Sequence, residues 1–204
     1  FMKILVTGGA GFIGSALIRF LIKTTEHQVI NVDKLSYASN LKSLDSVTDN
    51  ENYSFYEYDI CNRKKIDNLL ENEKPDVIFN LAAESHVDNS LANSRDFIFS
   101  NIIGTYELIE STRNYLLKNQ NKNNFRFIHI STDEVFGSLK LNNSKFNLKS
   151  SYDPKSPYSA SKASSDHLVR AYGNTFGLKF NIINCSNNFG ERQHVEKLIP
   201  KTIT

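Results

Sequence analysis

Cysteine is scarce in this chain: Cys61 and Cys185 are the only two among 204 residues. Two such residues make neither a disulfide framework nor a zinc site, and no metal is expected. An excess of one charge is also missing. The 24 basic and 22 acidic residues leave a net charge of +2, which gives no reason to expect a nucleic acid or an anionic membrane as partner. Long apolar runs are absent, and stretches such as Val77–Phe79 are far too short to span a bilayer. The N-terminus enters a strand pattern at once, with no charged region followed by a long apolar stretch, so no signal peptide is expected. Internal repeats are absent too. What remains is a composition with 40% hydrophobic residues, ordinary for a soluble globular protein. The length suits one full domain and part of another, and the cytosol is the expected setting.

Strand and helix patterns alternate along the chain. Lys3–Thr7 is a short apolar run that breaks into glycines, as a buried parallel strand does. Helical spacing follows over Ser15–Lys23, then strands over Gln28–Val32 and Tyr53–Tyr58, a helix over Asn62–Glu73 stopped by Pro75, and a strand over Val77–Leu81. A long helical pattern covers Asp96–Leu117. Phe125–Ile130 reads as the fifth strand, and Pro157–Tyr172 as a helix with Ser156 as cap and proline in its first turn. Asn181–Asn184 begins a further strand, and Glu196–Thr204 reads as a helix. The polar stretches Lys118–Asn124 and Ser138–Asp153 read as surface loops. This alternation predicts an α/β fold, a doubly wound parallel sheet of the Rossmann kind.

The segment Thr7-Gly8-Gly9-Ala10-Gly11-Phe12-Ile13-Gly14 leaves a strand and opens a helix. Gly8 suits the tight turn, Gly11 the close approach of backbone to a pyrophosphate, and Gly14 the packing of helix near strand. The helix N-terminus then faces the phosphates. Asp33 ends the second strand 19 residues after Gly14, where a carboxylate binds the adenosine ribose hydroxyls. That favours NAD over NADP, because a 2′-phosphate would be repelled. Asp59 and Ile60, after the third strand, would lie beside the adenine, although Asp59 alone would read as a helix cap.

Tyr158 and Lys162 are four residues apart and share one helix face. A lysine charge there is expected to lower the tyrosine pKa, so that the phenol takes a proton from a sugar hydroxyl while a nicotinamide takes the hydride. Asp133 and Glu134 add two adjacent carboxyls, one to serve as acid and one as base in eliminating water from an oxidised sugar.

These residues resemble the extended short-chain dehydrogenase/reductase family, and within it the NAD-dependent sugar-nucleotide epimerases and dehydratases. The segments carrying the resemblance are GGAGFIGS (8–15), NVDKLSYASN (31–40), DIC (59–61), LAAESHVDNS (81–90), STDEVFG (131–137), SPYSASKASSDHLVRAY (156–172), NCSNNFG (184–190) and EKLIP (196–200). The resemblance implies a 4,6-dehydration of a glucosyl nucleotide, dTDP-glucose in the first reading. Tyr158 would deprotonate the C4 hydroxyl, Lys162 would bind the nicotinamide ribose, and Thr132 would hydrogen-bond the C4 oxygen. Glu134 would remove the C5 proton and Asp133 would protonate the leaving C6 hydroxyl. Phe12, Ile13, Lys34, Leu35, Ser36, Leu81, Ala82, Ala83, Ser100 and Asn188 would join the cofactor site. Ser85, Asn187, Lys197 and Leu198 would reach the substrate, Lys197 through its diphosphate. His86, His129 and His167 read as structural, and Cys185 as a small residue packed beside the site.

The chain departs from the family in places. Leu148 stands where a glutamate is usual, in a short loop made basic by Lys140, Lys145 and Lys149. Glu191 and Val195 replace common prolines. Residues 2–190 are expected to form the NAD-binding domain with the catalytic residues, and 191–204 to begin a substrate-binding region that is largely absent. Three functions stay open: a 4,6-dehydratase acting on a dTDP or UDP sugar, a 4-epimerase or decarboxylase with no use for Asp133-Glu134, and a non-catalytic NAD-binding module. The family fold further implies a homodimer, built as a four-helix contact from the helices at Asp96–Leu117 and Pro157–Tyr172.

Overall fold

The computed structural model describes residues 1–119, 124–139 and 145–203. The surface-loop expectation for 120–123 and 140–144, Lys140 included, and the last residue of the 196–204 helix lie outside the described residues. Six strands form the sheet: β1 (Lys3–Thr7), β2 (Gln28–Asp33), β3 (Tyr53–Glu57), β4 (Val77–Asn80), β5 (Arg126–Thr132) and β6 (Phe180–Cys185). All pairs are parallel and the order is β3-β2-β1-β4-β5-β6. The chain runs outward from β1 to β3, then crosses back to continue from β4 to β6. The strand order therefore reverses between β1 and β4, where a crevice opens at the carboxyl ends of the strands.

Period-two alternation assigns each strand side chain to a face. Ile4 and Val6 pack with Ile18 of helix α1 (Phe12–Thr24) and with Leu44. Leu5, between them, packs on the opposite face with Ile66 of α2 (Arg63–Glu73), Leu108 of the later helix over Gly104–Lys118 and Val169 of the helix over Pro157–Phe176. Both faces are thus covered beside β1, which is why its run reads as continuously apolar.

The expected helix over Asp96–Leu117 is present but not uniform. After the short helix α3 (Val87–Ala92), which the sequence reading did not foresee, α4 (Ser94–Phe97) passes into a π-helical segment over Ile98–Ile103 and then α5 (Gly104–Lys118). A π segment inserts an extra residue per turn and re-aims side chains, commonly at functional sites. Here it directs Ser100 and Asn101 inward, both buried.

Helix α6 (Pro157–Phe176) starts on a capping box, with Ser156 and Ser159 each accepting from the other's backbone amide. It ends at Gly177, whose φ of +72° suits glycine. The last helix, α7 (Leu198–Ile203), has no buried residue. Among the described residues no helix is long and apolar enough to cross a membrane.

Candidate active site

The crevice at the strand reversal is a cavity of about 300 Å³. The glycine turn forms its floor. Gly8 has φ +70°, and a Cβ there would lie 2.7 Å from the backbone nitrogen of Ala82. A Cβ on Gly14 would lie 2.2 Å from the Gly8 carbonyl oxygen, so strand and helix approach only without side chains there. Gly11 is the N-cap of α1 and supplies no side-chain cap. The first-turn amides of α1 are left to a ligand, as an anion site requires. Phe12 and Ile13 line the same wall.

Asp33 closes the far end. Its carboxylate accepts from the Ala10 amide at 2.9 Å, the Leu35 amide at 2.8 Å and the Ser39 hydroxyl at 2.9 Å. These bonds fix both the glycine turn and the loop after β2. Lys34 reaches across to donate to Ser100 Oγ at 2.6 Å and lies 3.5 Å from Glu84. Ser36, Asp59 and Ile60 complete this wall. Asn62, not Asp59, caps α2, and Asp59 instead accepts from the Cys61 amide at 2.8 Å. Leu35 itself stays off the wall: its backbone takes φ +58° and its amide is committed to Asp33.

Leu81, Ala82, Ala83 and Ser85 follow β4 along the opposite side of the cavity. Asn101, which the sequence reading missed, holds that loop. Its amide oxygen accepts from the Glu84 amide at 2.8 Å, and its nitrogen donates to the Glu84 carbonyl at 3.0 Å and to Ser161 on α6 at 2.8 Å. An asparagine inside an otherwise helical apolar pattern was the available signal, since a buried amide is retained only where its bonds are made.

Tyr158, Lys162, Thr132 and Glu134 face this cavity from α6 and the end of β5. Thr132 hydrogen-bonds the Tyr158 phenol and also accepts from the Glu134 amide at 3.2 Å. The expected lowering of the phenol by Lys162 is not what governs it. Burial, seconded by the Glu134 charge, pushes Tyr158 well above the usual tyrosine range, and only the Thr132 bond opposes this. The Lys162 ammonium instead donates to the Ile130 carbonyl at 2.7 Å. Burial lowers it to about 8. Burial and the neighbouring Asp133 raise Glu134, while Lys197 across the cavity lowers it.

Two further expected residues stand off the cavity. Asp133 turns its carboxylate back toward the Thr132 hydroxyl, 3.4 Å away. Leu198 begins α7 and is exposed, because that helix projects from the body. Asn187, Asn188 and Lys197 do reach the cavity, and Lys197 donates to the Ser85 carbonyl at 3.1 Å. Segment 191–197 folds over the cavity mouth. Arg192 donates to the Ser43 carbonyl at 2.8 Å, and Glu196 accepts from the Tyr37 hydroxyl at 3.2 Å and lies 3.8 Å from His86. Gln193, His194 and Glu196 thus line a site to which the sequence reading had not assigned them.

A glycine turn at the strand reversal, with a tyrosine–lysine helix and a carboxylate on one cavity, defines a Rossmann-like α/β fold with titratable groups gathered at its switch point. Residues 5–204 match the family model described as GDP-mannose 4,6 dehydratase, and the chain belongs to that family. It is 53% identical to a dTDP-glucose 4,6-dehydratase of Haemophilus influenzae over the whole of this chain and 61% of the relative. It is 52% identical to one of Escherichia coli over 99% of this chain and 59% of the relative. A solved dTDP-glucose 4,6-dehydratase of Streptomyces venezuelae, with NAD bound, superposes with TM-score 0.90 at 39% identity, over 99% of this chain and 61% of that one. A UDP-glucose 4-epimerase of Thermotoga maritima superposes less closely, with TM-score 0.79 at 31% identity, over 95% of this chain and 58% of that one. The chain spans about 60% of the length of the curated relatives it matches.

Proposed function

We propose that this chain carries the NAD site and the reacting residues of a dTDP-glucose 4,6-dehydratase, a hydro-lyase that makes a 4-keto-6-deoxy sugar nucleotide. The observation that carries the reading is the joint presence of Tyr158, Thr132 and Glu134 on the cavity that the glycine turn floors. An epimerase needs no carboxylate beside the phenol. The Haemophilus influenzae and Escherichia coli relatives bear the dehydratase name.

The residues fit NAD. A Cβ would fill the cradle at Gly8 and Gly14, and the uncapped α1 terminus offers amides to a diphosphate. Asp33 suits ribose hydroxyls. A bound NAD would supply the acceptor for the C4 hydride and its source for return to C6. Tyr158 would take the C4 hydroxyl proton as its phenolate, a form that burial disfavours here and that the positive charge of a bound nicotinamide would favour, with Thr132 holding the oxygen. Lys162 binds the nicotinamide ribose. The C4 ketone acidifies C5, and Glu134, made more basic by burial and by Asp133, removes that proton. Asp133 would turn from Thr132 into the cavity to protonate the departing C6 hydroxyl, and Lys197 holds the diphosphate. In this reading residues 2–190 are the NAD-binding unit and 191–204 begin the substrate-binding region.

The same reading places the protein in the cytoplasm, as a homodimer joined through α5 and α6. Phe99, Ile103 and Tyr106 support that contact: they are exposed and recur at helical spacing along one outer face. Light scattering giving a monomer mass would remove it.

Proton NMR of dTDP-glucose incubated with the chain and NAD tests the activity. The expected signal is the C6 methyl of a 4-keto-6-deoxy product, absent with Tyr158→Phe. NAD binding without product would mean that these residues do not suffice. A 4-epimerised sugar would replace the dehydratase reading.

A further inference from the structure

Asp166 sits on α6 two turns beyond Tyr158 and one turn beyond Lys162, and is fully buried. A carboxylate without solvent is costly unless donors and a counter-charge surround it. Oδ2 has two donors, the Ser131 hydroxyl at 2.7 Å and the Tyr152 hydroxyl at 2.8 Å. Oδ1 faces His129 Nε2 at 3.3 Å, but too poorly aligned for a full hydrogen bond, and both atoms are otherwise unpartnered among the described residues. His129 is itself fully buried, with Nδ1 3.2 Å from the Asn80 amide nitrogen. Asn80 continues the chain of bonds, accepting from Thr7 Oγ1 at 2.7 Å at the foot of the glycine turn.

Three of these contacts join elements that the chemistry needs in register. His129 and Ser131 lie on the face of β5 that meets α6, two residues apart. The carbonyl of Ile130, between them, receives Lys162. Thr132 and Glu134 follow at once. Tyr152 brings in the loop before α6, which also binds the turn after β5 through the Asp153 amide and Val135 carbonyl at 2.9 Å.

We propose that Asp166 is the positioning residue of the reacting centre: bound to β5 through Ser131 and to the loop before α6 through Tyr152, and one buried helix turn from Lys162, it supplies the countercharge that keeps the Lys162 ammonium on the Ile130 carbonyl at the end of β5. The inference rests on the reading of Tyr158 and Lys162 as the reacting pair. The electrostatics agree with the geometry. Burial drives Lys162 toward its neutral form, and the Asp166 charge is the largest influence opposing it. The other titratable groups facing the ammonium are His129 on β5 and Cys185 on β6. His129 stays neutral, held down to about 4 by burial and by Lys162. Asp166 stays ionised, with its pKa lowered by His129, Ser131 and Tyr152 against the cost of burial. An asparagine keeps the volume and one acceptor for Ser131 and Tyr152 but removes the charge, so its effect on Lys162 reads the countercharge.

The experiment follows the Cε and Nζ resonances of Lys162 by NMR of isotope-labelled lysine, assigned with Lys162→Met, in the chain and in Asp166→Asn. The expected result is a Lys162 titration midpoint lower by about one unit or more in Asp166→Asn, with the backbone spectrum preserved. An unchanged midpoint overturns the proposal and leaves Asp166 a packing residue. Should Asp166→Asn not fold, Ser131→Ala and Tyr152→Phe loosen the clamp while keeping the charge. They are expected to broaden or shift the Lys162 resonances, and unmoved resonances in both also overturn the proposal. Turnover plays no part in these readouts. A chain that binds NAD but makes no keto-sugar counts against the proposed function alone.

Discussion

The Lys34 ammonium donates to the Ser100 hydroxyl at 2.6 Å, joining the loop after β2 to the π-helical turn across the cavity. An α-helical continuation from α4 would rotate residue 100 away from this position, because each residue advances an α-helix by about 100° and the π turn accommodates more residues than an α turn. The bond holds Lys34 beside Asp33 at one end of the cleft.

Removing that acceptor should therefore weaken NAD. Ser100→Val is expected to raise the NAD dissociation constant about tenfold, the scale of one charge-assisted hydrogen bond of about 1.5 kcal/mol. Ser100→Thr keeps the hydroxyl and should bind as the parent does. Calorimetric titration with NAD decides it, and equal affinities for Val and Thr would show that Lys34 holds its place without Ser100.

Gly14 and Gly177 separate steric need from conformational need. Gly14→Ala puts a Cβ 2.2 Å from a backbone oxygen, which forces helix and strand apart. A loss of about 1–3 kcal/mol in stability is expected, with NAD binding abolished. Gly177→Ala meets nothing within 4 Å and suffers only from φ +72°. It should cost about 1 kcal/mol and leave NAD binding alone. Thermal melts paired with NAD titration test both, and retained NAD affinity in Gly14→Ala would contradict the cradle.

Glu134 holds its proton more tightly in the folded chain than unfolded. Its ionisation therefore costs stability, and that cost sets in as pH rises from the ordinary carboxylate range through the raised value. Glu134→Gln should melt higher than the parent at about pH 7 and no higher at about pH 3.5. A gain of the same size at both pH values would mean that the substitution acts through packing, and would remove the electrostatic basis for Glu134 as a base near neutrality.

Much of the fold was legible because its signals are local. The glycines after β1, the Ser156-Pro157 start of α6 and the stop before Pro75 each act within a few residues. Helix α3 escaped because six residues form too short a window for a 3.6-residue period to show. The π segment escaped because its extra residue changes the face presented while leaving the composition helical. Positions that line the cavity were largely legible through the glycine turn and Asp33. Gln193, His194 and Glu196 were not, since only the return of the chain across the mouth brings them there.

By itself the sequence determined the order of strands and helices, the glycine turn and the Tyr158–Lys162 spacing, because backbone sterics and helical periodicity operate between near neighbours. Tertiary structure alone decided the state of the reacting groups. The Tyr158 phenol, the Lys162 ammonium and the Glu134 carboxyl are displaced mainly by burial. Of their partners, Thr132, Ile130 and Lys197 arrive from other elements, and Asp166 from the next turn of α6. Desolvation depends on what surrounds a group in space, so the packing of α6 onto the end of β5 sets these charges.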